Sequence, residues 1–379
     1  MVEGGTGIGK SFAYLIPVLQ SGKKTVVSTA SIALQTQLVE KDLLFLQASP
    51  LFRSRTFSFA LLKGKNNYLC MKRERELQSG FGRSLKKFLE WVAETETGDC
   101  DELDFIPDFW AGVCGDSDDC NVNLCPFYND CFYYKHYRSL PEKDIIVINH
   151  HLLVYDMLSE FNFLPFHNHL IIDEAHQIEN VISRVMGSTI NHTRVMWLLY
   201  RLRGLKISVD HLFEPVDSFF DRKDFPLRTI HPVPGAVIEA LVNLKEMFAF
   251  DKLIRRLNEA KESLGRDDLR DRVETTINYV TSLAHIIDDF LVQGNQDKVY
   301  FITVNKKRLE LISSLVACGD PFGTLTDAYE SIVMTSATMT TSGSFVFLKE
   351  RLGITDFIEL VIDSPFDFKR QAVLYIDKY

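Results

Sequence analysis

A complete phosphate-binding loop pattern, G-x-x-x-x-G-K-[ST], occupies residues 4–11 of this chain. Glycines let the backbone approach phosphate oxygens closely and turn several N–H groups toward them. Lys10 then reaches the β- and γ-phosphates of a nucleotide, and the Ser11 hydroxyl is placed to ligate Mg²⁺. A flexible glycine-rich turn is the alternative, but the apolar stretch Phe12–Pro17 suits the helix that such a loop must open. The predicted nucleotide-binding residues are Gly5, Thr6, Gly7, Ile8, Gly9, Lys10 and Ser11.

A pair of acidic residues follows the apolar run His169–Ile172, which we predict to be a buried parallel strand. An acid at the carboxyl end of a strand can hold Mg²⁺, usually through water, and a second carboxylate can activate the attacking water. Acidic residues also favour the first turn of surface helices, but a phosphate loop in the same chain favours catalysis. We therefore predict Asp173 as a Mg²⁺ ligand and Glu174 as the residue that orients or deprotonates water.

Clustered cysteines suggest a metal centre. Cys120, Cys125 and Cys131 are separated by four and five residues, with acidic and amide residues between them. No secretory segment is visible and no apolar run approaches the ~20 residues of a membrane span, so we expect a cytoplasmic chain with reduced thiols. Four thiolates suit a [4Fe–4S] cluster, whereas structural zinc favours paired C-x2–4-C knuckles. A fourth ligand must come from elsewhere: Cys70, Cys100 or Cys114.

Together the motifs resemble the superfamily 2 DNA helicases, and among them the iron–sulfur branch of the DinG, YoaA and XPD type. The amino-acid sequences of these motifs are more similar to those of YoaA than to those of DinG. The resemblance runs from Glu3 to about Tyr379. Besides the two motifs above, it rests on Val26–Thr29, Ile32–Leu38, Leu61–Cys70, Val147–Leu152, Ser331–Thr338 and Ser364–Phe368.

The resemblance implies an ATP-dependent helicase that moves 5′→3′ on single-stranded or branched DNA in repair or replication. It also implies a replication or repair protein as a possible partner and no membrane association. Within the site, it selects Cys70 as the fourth cluster ligand beside Cys120, Cys125 and Cys131. Thr29 and Gln35 fall in a family motif that touches the DNA backbone.

Charge distribution suggests where DNA binds. The net charge of −9 argues against a generic polyanion binder, but basic residues concentrate between Lys63 and Lys87. From Phe88 to Tyr134 there is no Lys or Arg and there are twelve acidic residues, which we expect to form an exposed loop. Because a phosphate-tracking surface gathers cations, we predict DNA contact along 63–87, with a solvated basic helix face as the alternative. The candidate contacts are Lys63, Lys65, Lys72, Arg73 and Arg75.

The pattern of elements predicts an α/β fold. Apolar strands alternate with helical patterns, as expected of a RecA-like parallel sheet, the first motor domain of a P-loop NTPase. We expect this ATP-binding domain at 1–65, 143–189 and 319–370, with an Fe–S insertion at 66–142 and a helical arch insertion at 190–318. The predicted strands are Lys23–Ser28, Thr56–Leu61, Asp144–Asn149, Leu170–Asp173 and Ile332–Thr335, with a hairpin near Asn305.

Residues 371–379 are expected to begin a second RecA-like domain. In helicases of this class that domain supplies arginines, and such an arginine is worth ~10³–10⁵ in rate in related phosphoryl transfer. The chain is therefore expected to be incomplete at both ends and poorly active in isolation. The alternative is an Fe–S module that binds DNA or protein without ATP turnover.

Overall fold

The computed structural model describes the chain except for residues 54–55, 76–81, 117–119, 222–227, 265–266, 306–307, 372, 374 and 376–379. Its strands are β1 (Val2–Gly4), β2 (Thr25–Thr29), β3 (Phe59–Leu61), β4 (Ile145–Asn149), β5 (His169–Asp173), β6 (Ser188–Asn191), β7 (Thr229–Ile230), β8 (Lys298–Asn305), β9 (Arg308–Leu315), β10 (Ser331–Ser336) and β11 (Leu360–Ile362).

The α-helices of the described chain are α1 (Lys10–Ser21), α2 (Ile32–Gln37), α3 (Leu44–Ala48), α4 (Met71–Arg75), α5 (Gly82–Glu94), α6 (Trp110–Val113), α7 (Phe132–Ser139), α8 (His150–Leu158), α9 (Ile178–Val185), α10 (His192–Gly204), α11 (Phe213–Phe220), α12 (Gly235–Phe248), α13 (Phe250–Ser263), α14 (Asp267–Val292), α15 (Gly319–Ala328), α16 (Val346–Leu352) and α17 (Phe368–Gln371). A π-helix, Leu38–Leu43, joins α2 to α3. None of the helices in the described residues is long and apolar enough to cross a membrane.

A seven-stranded parallel sheet carries the predicted nucleotide motifs. Its strand order is β11-β1-β10-β5-β2-β4-β3. The central strands are continuous apolar runs because both faces of a parallel sheet are covered; Ile145–Ile148 and Leu170–Ile172 are completely buried. Since all strands point the same way, their carboxyl ends lie along one edge, which brings the loops after β1, β5 and β10 together. The predicted α/β fold is confirmed.

The predicted strands are present with small changes at their ends. The strand expected at Thr56–Leu61 is shorter, Phe59–Leu61, and the strand expected at Lys23–Ser28 is Thr25–Thr29. β11 was not predicted from the sequence. Its three residues form an exposed edge beside β1, and such a short strand has no periodicity to detect.

The chain divides into two compact units. Unit 1 comprises 1–114, 129–185 and 317–379, and contains the parallel sheet; unit 2 comprises 115–128 and 186–316. This division does not test the boundaries predicted for an Fe–S insertion at 66–142 and an arch at 190–318, which stay predictions. Residues 66–114 and 129–142 belong to the unit that contains the parallel sheet.

Unit 2 combines helices α10 to α14 with an antiparallel sheet of order β6-β9-β8-β7. The predicted hairpin is present as β8 and β9, which pair from Lys298↔Leu315 to Asn305↔Arg308. Apolar faces of its helices supply the core, where the following residues are buried: Val237, Leu241, Leu244, Phe248, Val273, Val280 and Ile287.

The acidic stretch after Phe88 is not the exposed loop that its composition suggested. Phe109, Trp110 and Val113 from this stretch pack with Leu69 and Phe88 in a small apolar core. The tryptophan Nε1–H also donates to the Asn66 carbonyl at 2.9 Å. Sparse apolar residues among the acids are therefore enough to fold the segment back onto the chain.

Candidate nucleotide site

The phosphate loop connects β1 to α1. Gly7 and Gly9 have φ of 83° and 77°, a left-handed conformation that favours glycine. Gly9 is the N-cap of α1, so the free N–H groups and the positive end of the helix dipole face the loop. The Lys10 ammonium donates to the Gly4 carbonyl at 3.0 Å. This loop geometry suits the predicted role in phosphate binding.

Asp173 ends β5 and meets α1 directly. Its Oδ2 accepts a hydrogen bond from the Tyr14 hydroxyl at 3.0 Å, and its Oδ1 accepts the Glu174 N–H at 3.0 Å. The side chain is largely buried, at 7% exposed, and burial raises the pKa of Asp173. A carboxylate without solvent gains from a nearby cation, which suits the predicted role as a Mg²⁺ ligand.

Glu174 is held in a strained conformation with its carboxylate fixed at the end of β10. Its φ of 55° and ψ of 43° are left-handed, which is uncommon for a residue with a side chain and marks functional sites. The Ser336 hydroxyl donates to Glu174 Oε2 at 3.1 Å. His176 Nδ1 lies 2.8 Å from the Ser336 oxygen and 3.3 Å from Glu174 Oε2, so Nδ1–H is the donor when Ser336 donates to Glu174.

Sequence reasoning did not identify His176, Ser336 or Glu3 as part of this site. The available signal for Ser336 is the run of hydroxylic residues in Thr335–Thr338, but by itself that pattern is also typical of a strand-to-loop turn. The Glu3 carboxylate accepts the N–H groups of Met339 and Thr340. Burial raises the pKa of Glu3, but these hydrogen bonds outweigh it and the net pKa is lowered. Glu3 thereby ties β1 to the loop after β10.

The cysteines fall into two groups by burial. Cys70, Cys120, Cys125 and Cys131 are half-buried, whereas Cys100, Cys114 and Cys318 are buried. Burial, followed by the charges of Asp99 and Asp101, raises the pKa of Cys100 to about 11, which disfavours the thiolate that a metal needs. Cys70 and Cys131 belong to unit 1, and Cys120 and Cys125 belong to unit 2.

A second possible metal group, Asp99, Cys100 and Asp101, brings three ligand atoms within 4.8 Å of one another. The Lys63 ammonium already binds both carboxylates, at 2.6 Å from Asp99 and 2.7 Å from Asp101. Because an ammonium already bridges these two carboxylates, we assign no metal there.

Three of the predicted DNA contacts are buried in this structure, and their role in DNA binding stays a prediction. Lys63 is buried at 4% exposed and its ammonium is fully engaged by the two aspartates. Thr29 and Gln35 are completely buried, and their side-chain polar atoms have no hydrogen-bond partner among the described residues. Their burial depends on tertiary packing, which a local sequence pattern does not reveal.

The other basic candidates lie nearer to solvent. Lys72 and Arg75 are exposed on α4. Arg73 is half-buried and donates to the carbonyls of Ala111 and Cys114 at 3.4 and 3.3 Å. The Lys65 ammonium lies over two tyrosine rings, at 5.4 Å from the centroid of Tyr133 and 5.1 Å from that of Tyr134.

Comparison with known proteins gives the chain's relatives. Residues 118–195 match the DEAD_2 family. The chain is 31% identical over 409 residues to "ATP-dependent DNA helicase YoaA" of Escherichia coli (strain K12), covering 99% of this chain and 62% of the relative. It is 26% identical to "3'-5' exonuclease DinG" of Bacillus subtilis (strain 168), covering 100% of this chain and 48% of the relative.

A solved structure named "XPD_Helicase" aligns with 95% of this chain and 58% of its own chain, at a TM-score of 0.50 and 14% identity. At this identity the similarity shows the fold alone. The chain spans 62% of the length of the YoaA relatives it matches.

Proposed function

We propose that this chain, which is similar to the ATP-dependent DNA helicase YoaA, is the ATP-binding motor portion of an ATP-dependent DNA helicase. Its substrate is single-stranded or branched DNA. The expected 5′→3′ polarity, the repair or replication protein partner and the cytoplasmic location stay predictions from the resemblance.

One observation carries the proposal. The Tyr14 hydroxyl, on the helix that follows the phosphate loop, bonds the Asp173 carboxylate at 3.0 Å. Asp173 and the loop are 163 residues apart in sequence (173 − 10). This hydrogen bond joins Asp173 to the helix that follows the loop, which supports a nucleotide site at this edge of the sheet, as phosphoryl transfer requires.

Each residue has its own proposed role in ATP hydrolysis. Ser11 and Asp173 would hold Mg²⁺, which when bound neutralises charge on the β- and γ-phosphates. Lys10, released from the Gly4 carbonyl, binds the same phosphates. Glu174 orients or deprotonates the attacking water and receives its proton on the carboxylate. Ser336 and His176 keep that carboxylate in place.

We also propose that Cys70, Cys120, Cys125 and Cys131 hold a [4Fe–4S] cluster. Their half-buried thiols fit this role better than Cys100, whose raised pKa keeps it protonated. Cys114 is buried as well, so the greater exposure of the Cys70 thiol favours Cys70 as the fourth ligand.

Two substitutions test the nucleotide site. Lys10→Ala should abolish binding of Mg-ATP, measured with a fluorescent analogue, because the principal phosphate cation is lost. Glu174→Gln should keep the affinity for Mg-ATP within about threefold. In a protein that also contains the second RecA-like domain expected from the resemblance, it should lower the ATP hydrolysis rate by ~10² or more. The matched controls are Lys41→Ala and Glu40→Gln, both exposed in the π-helix. Unchanged binding by the Lys10 variant would show that the loop does not hold nucleotide.

A further inference from the structure

The segment 362–366, after β11, runs along the phosphate loop and touches it at successive points. β11 pairs in parallel with β1, with Gly4 opposite Ile362. The pairing continues into the loop, because the Gly5 N–H donates to the Ile362 carbonyl at 3.0 Å. The Gly5 N–H is therefore already used and is not available to a phosphate.

Ser364 makes the second contact. Its hydroxyl donates to the Thr6 carbonyl at 3.0 Å. The backbones also approach closely here, since a Cβ placed on Gly5 would lie 2.6 Å from the Ser364 nitrogen and 2.7 Å from its Cα. Because a trans peptide is planar, a Thr6 carbonyl held toward Ser364 directs the Gly7 N–H to the opposite side.

Phe366 makes the third contact. A Cβ placed on Gly7 would lie 2.3 Å from Cε2 and 2.7 Å from Cζ of the Phe366 ring. The ring therefore packs directly on the glycine whose φ is 83°, yet it is 48% exposed. The Phe366 N–H donates to the Ser364 hydroxyl oxygen at 3.3 Å, which joins the second and third contacts in one turn.

We propose that Ser364 and Phe366 are positioning residues for the nucleotide phosphates. They fix the orientation of the Thr6–Gly7 peptide and the path of the loop, and so set the directions of the N–H groups that receive phosphate. Binding and position are linked reciprocally: phosphates in the loop stabilise the 362–366 segment where it lies. The proposal rests on the ATP site proposed above.

The test compares Mg-ATP affinity among variants of the whole chain. Ser364→Ala should raise the Kd about three- to tenfold, as expected for loss of one hydrogen bond. Phe366→Ala should raise it about tenfold, and Phe366→Tyr should restore it to within about twofold because the ring is kept. Phe347→Ala is the matched control, since that phenylalanine is 58% exposed on α16, and it should leave the Kd unchanged.

Hydrogen exchange supplies a second measurement. Without nucleotide, Phe366→Ala should speed amide exchange in residues 4–9, and Mg-ATP should slow exchange in 362–366 of the unmodified chain. The proposal would be overturned if the Ser364 and Phe366 variants had the same Kd for Mg-ATP and the same amide exchange rates as the unmodified chain. Tighter ATP binding by Phe366→Ala would also overturn it. If the unmodified chain failed to bind Mg-ATP, the proposed function would be wrong. The exchange rates of residues 4–9 without nucleotide would still show whether Phe366 holds the loop in place.

Discussion

At the residue scale, the two acids of the proposed nucleotide site differ in their surroundings. Asp173 is buried and accepts a hydrogen bond from the Tyr14 hydroxyl. Burial raises its pKa, so a nearby cation would stabilise its ionised form. Glu174 is more accessible and bonded to Ser336, in a backbone conformation that costs of order 1–3 kcal/mol. This division suits one metal-holding carboxylate and one carboxylate that handles a proton.

Asp156 is a buried carboxylate outside that site, and its ionisation affects stability. Its Oδ1 accepts the N–H groups of Phe163 and Leu164 at 3.0 and 2.7 Å. Burial raises its pKa from 3.8 to about 6. In this case the folded state holds the proton more tightly than the unfolded state, so the free energy of unfolding falls as pH rises from about 4 to about 6.

Asp156→Asn should therefore stabilise the protein at pH 7. The amide oxygen can still accept both N–H groups, and the buried charge is removed. A two-unit pKa shift corresponds to about 3 kcal/mol, and desolvating the new NH₂ offsets part of it, so we expect a gain of about 1 kcal/mol. Urea unfolding from pH 4 to 8 should also show a weaker pH dependence than the unmodified chain. Destabilisation as large as that of Asp156→Ala would contradict this account.

At the scale of elements, the segment that carries Cys70 is fixed by its neighbours. The Leu69 and Cys70 N–H groups donate to the carbonyls of Gly98 and Val113, each at 2.8 Å. Lys63 adds an ion pair to the same acidic segment through Asp99. The backbone at Cys70 is therefore held in place while its thiol stays half-buried, as a ligand position requires.

Cysteine substitutions should separate cluster ligands from structural thiols. Anaerobically purified protein should contain about four irons per chain, and Ala in place of Cys70, Cys120, Cys125 or Cys131 should remove them. Cys100→Ala is the control, because its buried thiol is kept protonated, and it should retain the iron. Stoichiometric zinc in colourless protein would exclude the cluster, and iron retained by Cys70→Ala would move the fourth ligand to Cys100 or Cys114.

At the scale of the whole molecule, the sequence predicted the parallel sheet and the motifs at its edge because both depend on local patterns. Apolar runs such as Ile145–Ile148 indicate buried strands directly. The contact between Ser364 and Thr6 could not be predicted, because 358 residues separate them and only the strand order brings them together. Burial of Lys63 was equally hidden, since it depends on acids from a segment that was expected to be an exposed loop.

The proposed DNA binding has to be reconciled with a net charge of −9. A path for single-stranded DNA needs local cations, and with Lys63 buried the exposed candidates on α4 are Lys72 and Arg75. We predict that reversing both to Glu weakens binding to single-stranded DNA of any sequence. The slope of log K against log salt should become shallower by ~1.4, or ~0.7 for each phosphate contact.

The matched control is reversal of Lys252 and Arg255, which are exposed on α13 with the same three-residue spacing. It changes net charge by the same amount, so bulk electrostatics should affect both variants equally, and only a local contact can distinguish them. We expect the control to keep the salt slope of the unmodified chain in a titration monitored by fluorescence anisotropy. Equal losses in the two variants would mean that α4 is only a solvated basic helix, and DNA would then be held by other surfaces.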